Sequence, residues 1–266
     1  MNLVALKLAA VPAVVWLASW AGRRWGHRVS GLISGLPVIS GPILLFVALD
    51  APPGFVAETG WITMAASPAI AVHCLVYAWL ARAPVASRWH WLLCLLGAWL
   101  AYVASAFALS ATVIEGFAGA ALALALMLLA TAAMPRARAP IGIPRIPRSE
   151  IAIRMLAALA IAATVTLGAQ ELGSRLSGVL LAFPITASVL PVFTLALYGA
   201  EATVRLLAGF VTGLVGFAAY FFAFAALVVP AGLAVACLVG AGASLIAVGL
   251  VLAWQQRGAR AAARPG

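Results

Sequence analysis

Charged residues are scarce in this chain, and acidic residues are the scarcest of all. Of its 266 residues only 8% are charged, including six Asp and Glu, whereas 66% are hydrophobic. A soluble domain carries roughly 25% charged residues, so this chain lacks the polar surface needed to cover itself in water. Most of it falls into apolar runs of about 20 residues, the length of a membrane-spanning helix. We therefore expect an all-α polytopic membrane protein without a sizeable soluble domain.

Cysteines are few as well, and the common enzyme motifs are missing. Cys74, Cys94 and Cys237 lie far apart within apolar segments, which fits neither a disulfide framework nor a metal site. The sequence contains no HExxH, GxSxG or P-loop motif, no Cys/His ligand cluster, and no paired carboxylates at membrane depth. The pattern argues against an enzyme and predicts neither a cofactor nor a metal.

The net charge of +10 reflects the placement of the 16 Lys and Arg residues rather than a nucleic-acid partner. Most of them lie in short segments between apolar runs or at the C-terminal end, as expected for loops on the cytoplasmic side of a membrane. Nine spans are predicted, at residues 3–21, 29–49, 59–81, 90–109, 112–133, 150–169, 176–198, 202–228 and 231–254. With the C-terminus in the cytoplasm and the N-terminus outside, only Lys7 and Arg175 among the basic residues fall outside.

The chain also repeats itself. Residues 26–46 read GHRVSGLISGLPVISGPILLF and residues 173–193 read GSRLSGVLLAFPITASVLPVF, which align at an offset of 147. A repeat of this kind is typical of a duplicated membrane unit, and the odd number of crossings between its copies makes them inverted. We expect an inverted 4+1+4 arrangement divided as follows: a first four-helix repeat at 1–110, a linker helix at 111–134, a basic cytoplasmic loop at 135–149, an inverted second repeat at 150–255, and a basic cytoplasmic tail at 256–266.

Each copy carries Arg-x-Ser-Gly followed six residues later by a proline. Ser30 and Ser177 are suited to cap the second and seventh predicted helices, and Pro37 and Pro184 to interrupt them. Free backbone groups are expensive in lipid, so paired interruptions indicate a transporter binding site, although both prolines could simply kink helices for packing. The predicted substrate-binding residues are Arg28, Ser30, Gly31, Pro37, Ser40, Arg175, Ser177, Gly178, Pro184, Thr186 and Ser188.

Basic residues at the ends of these helices have two interpretations. Arg28 and Arg175 begin helices two and seven, and Lys7 and Arg154 begin helices one and six. Beside positive helix N-termini they would attract an anion, or they would extend to the membrane interface and anchor the helices.

His73 is the clearest ionisable residue at membrane depth, and the repeat aligns it with Tyr220. A histidine there would carry protons near neutral pH, which makes it the candidate for proton coupling. The alternative is a buried histidine that bonds a backbone carbonyl.

Each half resembles the small four-helix GlpM-like inner-membrane proteins. The resemblance is carried by residues 26–50 and, more closely, by 174–210, with Gly178, Pro184, Glu201 and Arg205 at the family's positions. The first half departs from it at a longer loop, DAPPGFVAETG. The resemblance implies an inner (plasma) membrane protein with a link to exopolysaccharide production. A four-helix unit would have to dimerise, and the topology indicates that the two fused copies form such an antiparallel pair within one chain. The partners considered for the whole chain are a second copy, as a homodimer, and a biosynthetic complex.

The leading functional prediction is a secondary transporter or permease for a small or amphiphilic solute, with an anion as one alternative. Its site would lie between the proline-broken helices two and seven, among membrane lipids. The second function is a non-transporting membrane factor that supports a complex for exopolysaccharide or lipid biosynthesis.

Overall fold

The structure, a computed structural model, describes residues 3–85, 87–110, 116–137, 146–170 and 183–262. These residues are predominantly α-helical, and no β-strand occurs among them. The helices in this part of the chain are α1 (Leu3–Trp25), α2 (His27–Gly35), α3 (Ser40–Asp50), α4 (Pro53–Ala81), α5 (His90–Ser110), α6 (Gly116–Ala133), α7 (Arg148–Gln170), α8 (Ile185–Leu227) and α9 (Leu233–Ala262). The predicted all-α class is confirmed.

Several of these helices are long and apolar enough to cross a membrane. Five meet both criteria, at residues 53–81, 90–109, 116–133, 185–227 and 233–257. Large apolar side chains point outward from them: Leu100, Phe117 and Leu238 are 73%, 83% and 75% exposed. Such a surface suits lipid rather than water. The structure therefore agrees with a membrane-embedded protein.

The second predicted span, residues 29–49, is called helix two below, and it is interrupted at Pro37. α2 ends at Gly35 and α3 begins at Ser40, while Leu36 between them has extended backbone (φ −73°, ψ 159°). Pro37 has no N–H to donate to a helical ladder, and its own carbonyl accepts the N–H of Gly41 at 2.9 Å. The predicted break in this helix is confirmed.

The predicted break in helix seven, the predicted span 176–198, falls at the start of α8, and the part of that span before Phe183 lies outside the described residues. Pro184 is the residue before the first turn of α8, and the N–H of Ile185 donates to the carbonyl of Phe183 at 2.9 Å. Further along, Gly199 has φ 79°, a left-handed value that glycine adopts without a Cβ clash. Gly199 divides α8 into residues 185–198 and 200–227, in agreement with the predicted boundary between spans seven and eight.

Two predicted helix ends were wrong. Ser30 does not cap helix two, because α2 begins earlier, after Gly26, without a side-chain cap. The predicted loop DAPPGFVAETG is mostly helix, since α4 starts at Pro53, a position where a missing N–H costs nothing. α9 continues to Ala262, so most of the predicted tail 256–266 is helical.

α8 is the central element of the fold. It packs against α2, α4 and α9, while α5 packs on α4, α1 contacts α2 and α7, and α6 lies against both α4 and α8. A large apolar core joins α4, α5 and α8. A smaller apolar cluster, called the minor cluster below, joins α1, α7 and the beginning of α8; it contains Val11, Val15, Ala158, Ala162, Ile185, Val189 and Leu190, among others.

The α2–α8 contact depends on glycine. α2 carries Gly31 and Gly35 and α8 carries Gly209 and Gly213, each pair in GxxxG spacing. A Cβ placed on Gly31 would lie 1.8 Å from the carbonyl oxygen of Leu206, and one on Gly209 would lie 2.0 Å from that of Arg28. Small residues let membrane helices approach until their backbones touch. We call this contact the glycine seam.

Candidate functional site

The predicted residues of helix two lie in different environments. Gly31 is in the glycine seam, which gives it a packing role. Ser30 is buried, and its carbonyl accepts the hydroxyl of Ser34 at 2.9 Å. Pro37 and Ser40 are half-buried at the break itself. Arg175, Ser177 and Gly178, the counterparts of Arg28, Ser30 and Gly31, lie outside the described residues.

The helix-seven break is surrounded by polar contacts. The Ser188 hydroxyl donates to the carbonyl of Pro184 at 2.9 Å and accepts the indole N–H of Trp99 at 2.9 Å. Thr186, the second residue of α8, is also buried. The ring of Phe183 packs against Trp99, with ring centroids 5.7 Å apart. The predicted residues Pro184, Thr186 and Ser188 are thus all buried at the beginning of α8.

His73 joins this environment. Its side chain is 0% exposed, and Nε2 lies 3.2 Å from the carbonyl oxygen of Ala187. A carbonyl oxygen only accepts, so Nε2 carries the hydrogen in this contact. The bond to a backbone carbonyl, which the second interpretation of His73 expects, is thus present. The structure therefore brings the proton-coupling candidate to the helix-seven break, a meeting that the sequence did not predict.

Tyr220 lies at the other break. A Cβ placed on Gly41, in the first turn of α3, would be 3.5 Å from the Tyr220 hydroxyl. The tyrosine also contacts Gly240 of α9 and stacks on Phe224 at 5.9 Å between ring centroids. Helix two's break is therefore covered by an aromatic hydroxyl from α8.

The two breaks meet through apolar packing. Ile39 at the first break, and Phe183 and Ile185 at the second, all contact the minor cluster. Hydrophobic side chains from both sites therefore share one apolar cluster.

A basic cleft opens at the start of α2. It measures about 460 Å³, and Arg28, Arg136 and Arg205 line it together with Gln255 and Thr131. Arg28 Nη2 donates to Gln255 Oε1, whose amide in turn donates to the Thr212 hydroxyl at 3.3 Å. No carboxylate lines this cleft within the described part of the chain. We call it the arginine cleft.

A buried ion pair lies near the same end of the fold. Arg154 donates to Glu150 one turn earlier on α7, and the Tyr198 hydroxyl donates to the other Glu150 oxygen at 2.8 Å. The Arg154 side chain is 1% exposed. The interpretation that Arg154 extends to the interface was therefore wrong, because Glu150 supplies its counter-charge inside the protein.

Neither Glu150 nor Tyr198 was a predicted site residue, although the i, i+4 spacing of Glu150 and Arg154 is a signal for an intrahelical pair. His27 extends this network: its ring lies 5.1 Å from that of Tyr198, centroid to centroid. Burial, followed by the positive charges of Arg154 and Arg205, lowers the pKa of His27 to about 4. His27 is therefore neutral at physiological pH.

Arg82 connects three segments at this end. Its guanidinium lies 2.7 Å from Glu201 and also donates to the carbonyl of Arg136. The arginine cleft, the Glu150–Arg154 pair and this contact all lie near the beginning of α2. The ends of α1, α4, α6, α7 and α9 meet there. We call this part of the molecule the arginine-rich end.

Metal chemistry has no ligand set in the described part of the chain, where no group of three His, Cys, Asp or Glu side chains is close enough to hold an ion. In comparisons with protein-family models, curated proteins and solved structures, nothing matched this chain.

Proposed function

We propose that this chain is an integral membrane permease for a small anionic or amphiphilic solute, which enters through the arginine cleft. The observation that carries the proposal is a cleft with three guanidinium groups and no lining carboxylate in the described residues. Guanidinium groups bind carboxylates and phosphates through paired, charge-assisted hydrogen bonds. Arg28, already oriented by Gln255, would make the first contact with the anion.

The proposal includes nine spans in an inverted 4+1+4 repeat. Two contacts support this arrangement, because a shift of 147 positions along the chain relates the residues of the first contact to those of the second. His73 contacts Ala187, and the counterparts of these residues are Tyr220 and Ser40. Tyr220 contacts Gly41, the residue directly after Ser40. A pseudo-two-fold axis between inverted halves produces reciprocal contacts of this kind.

Packing elsewhere has the same reciprocity. Val11 and Val15 of α1 share the minor cluster with Ala158 and Ala162 of α7, their counterparts in the repeat. α5 packs on α4 as α9 packs on α8, and α6 contacts both α4 and α8. The unpaired linker helix therefore lies beside two helices that are each other's counterparts.

In this mechanism the two halves move against each other at the minor cluster. The breaks at Pro37 and Pro184 would expose backbone groups to the solute when the cluster opens. His73 is the candidate for coupling protons to that movement. The Glu150–Arg154 pair, buried between α7 and α8, would hold the arginine-rich end in its present arrangement.

We further propose the inner membrane as the location, with the arginine-rich end cytoplasmic and the N-terminus outside. The excess of arginine at this end supports the orientation through the positive-inside rule. The halves are proposed to be fused GlpM-like units, and a homodimer remains part of the proposal.

Transport in proteoliposomes tests this function. Concentration jumps of phosphate, acetate or succinate on a solid-supported membrane should give currents from the wild-type protein, and Arg28→Gln should reduce them at least tenfold. Arg88→Gln is the matched control, because Arg88 is exposed and lies over Trp89, 5.5 Å from the ring centroid. It should leave the currents unchanged.

Replacement of both prolines tests whether the solute passes between the two breaks. Pro37→Ala with Pro184→Ala should slow transport while Arg28 still binds the anion. If wild-type protein moves none of the three anions and instead co-purifies with a biosynthetic complex, the permease proposal fails and the non-transporting function is favoured.

A further inference from the structure

A second basic cavity lies between α1 and α7 and is separate from the arginine cleft. It measures about 610 Å³, within the usual range of ligand sites. Trp16 and Trp20 form one wall, Arg23 and Arg24 extend from the last turn of α1, and Arg148 begins α7. None of these five residues lines the arginine cleft.

The three guanidinium groups in this cavity are available to a ligand. Arg23, Arg24 and Arg148 are all exposed, and none of them forms an ion pair with another described residue. Glu150 is the nearest acid along α7, but its two oxygens are occupied by Arg154 and Tyr198. The cavity therefore keeps its positive charge.

The tryptophan wall indicates where this cavity lies relative to the bilayer. The rings of Trp16 and Trp20 are nearly parallel, with ring centroids 6.5 Å apart. Both side chains are partly exposed. Indoles of membrane proteins concentrate at the level of the lipid headgroups, where an apolar ring meets a polar N–H. Ile153 and Leu156, one or two turns further along α7, are 54% and 65% exposed. They offer an apolar surface for acyl chains directly beyond the basic groups.

We propose that this cavity binds the phosphodiester headgroup of an anionic glycerophospholipid. Arginine side chains from two helices would clamp the phosphate, while the indoles contact the glycerol region and the acyl chains follow α7. Basic pockets between membrane helices are the sites where such headgroups bind. A free phosphate would use the same guanidiniums but neither the indoles nor the apolar surface of α7, so the geometry favours lipid.

Native mass spectrometry of the delipidated full chain tests this site. Phosphatidylglycerol and phosphatidylcholine are titrated separately, and the affinity of the first bound lipid is measured for each. Wild-type protein should bind phosphatidylglycerol at least tenfold more tightly. Equal affinities for the two lipids would overturn the proposal without any need for a variant.

Two double variants with the same change in charge then locate the site. Arg24→Gln with Arg148→Gln should remove the preference for phosphatidylglycerol. Arg88→Gln with Arg257→Gln, which removes two exposed arginines elsewhere, should keep it. Loss of preference in both doubles would show a general charge effect and refute the site. Arg24→Lys with Arg148→Lys, which keeps the charge, should retain at least part of the preference and shows that the site still folds.

A soluble competitor distinguishes the two phosphate sources. Millimolar glycerol 3-phosphate should leave the bound phosphatidylglycerol in place. Displacement of the lipid by this headgroup fragment at that concentration would mean that the cavity is a site for free phosphate esters, contrary to the proposal.

Discussion

Pro37 and Pro184 occupy matching positions of the repeated sequence element, yet different interactions hold the backbone beside each of them. At the first break the preceding helix, α2, is fixed by the glycine seam, where Gly31 touches the backbone of Leu206. At the second break Ser188 and Ala187 are held by hydrogen bonds from Trp99 and His73. Close backbone packing depends on the size of a side chain, whereas a buried hydrogen bond depends on its polarity. One repeated sequence element is thus stabilised by two kinds of contact.

The functional consequence differs between the two breaks. A seam of touching backbones leaves no room for rearrangement without separating α2 from α8. A hydrogen-bonded break can exchange partners, since His73, Trp99 and Ser188 are all able to bond a solute or water. The helix-seven break is therefore the one that can rearrange more easily.

The largest expected effect comes from adding a methyl group to the seam. Gly31→Ala would place Cβ 1.8 Å from a backbone oxygen, so the helices must move apart. We expect a loss of more than about 3 kcal/mol, at the upper end for overpacked sites, measured by thermal or denaturant unfolding in detergent. Gly242→Ala on α9 is the control, because a Cβ there meets nothing within 4 Å. If both variants unfold alike, the seam does not hold helix two.

The next largest effect is a dependence of the protein's stability on pH, which comes from His27 at the start of α2. The pKa of His27 is lowered to about 4 in the folded protein, whereas an unfolded histidine titrates near 6.5. The unfolded chain therefore binds more protons between these values, and stability falls as pH falls from 6.5 to 4. The loss should reach about 1–3 kcal/mol at pH 4. His27→Gln should flatten this part of the curve; an unchanged curve would contradict the assignment.

The smallest expected effect on stability comes from removing the hydroxyl group of a serine at each of the two prolines. Ser188→Ala removes the acceptor for Trp99 and the donor to Pro184, and should cost about 1–2 kcal/mol. Ser34→Ala in α2 removes one bond to the carbonyl of Ser30 and should cost less than about 0.5 kcal/mol. The unfolding midpoints of the two variants, compared directly, test whether helix seven depends more on polarity than helix two.

Local features of the fold were predictable from the sequence. The interruption at Pro37 follows from a missing N–H, and the bend at Gly199 lies between two apolar runs where a left-handed residue is needed. The ends of helices were less predictable. Pro53 starts α4 six residues before its predicted span, because proline suits a first helical turn as well as a loop.

The candidate site was predicted only in part. Pro184, Thr186 and Ser188 were identified together as part of one motif and His73 as a separate signal. The structure brings His73 to this motif, because its Nε2 lies 3.2 Å from the carbonyl oxygen of Ala187. Glu150 was not identified, since it follows a proline-rich segment that the sequence assigns to a loop. Its partner Tyr198 is 48 positions away, and no local pattern connects the two.

The sequence by itself determined the membrane class, the positions of most helices and the places where they break, because hydropathy and backbone preference act within a few neighbouring residues. The tertiary structure alone decided which groups meet. Arg28 reaches Gln255 across 227 positions, and Gly31 meets Leu206 of a distant helix. Such partners depend on how whole helices pack, and packing is a property of surfaces that the order of residues along one helix does not specify.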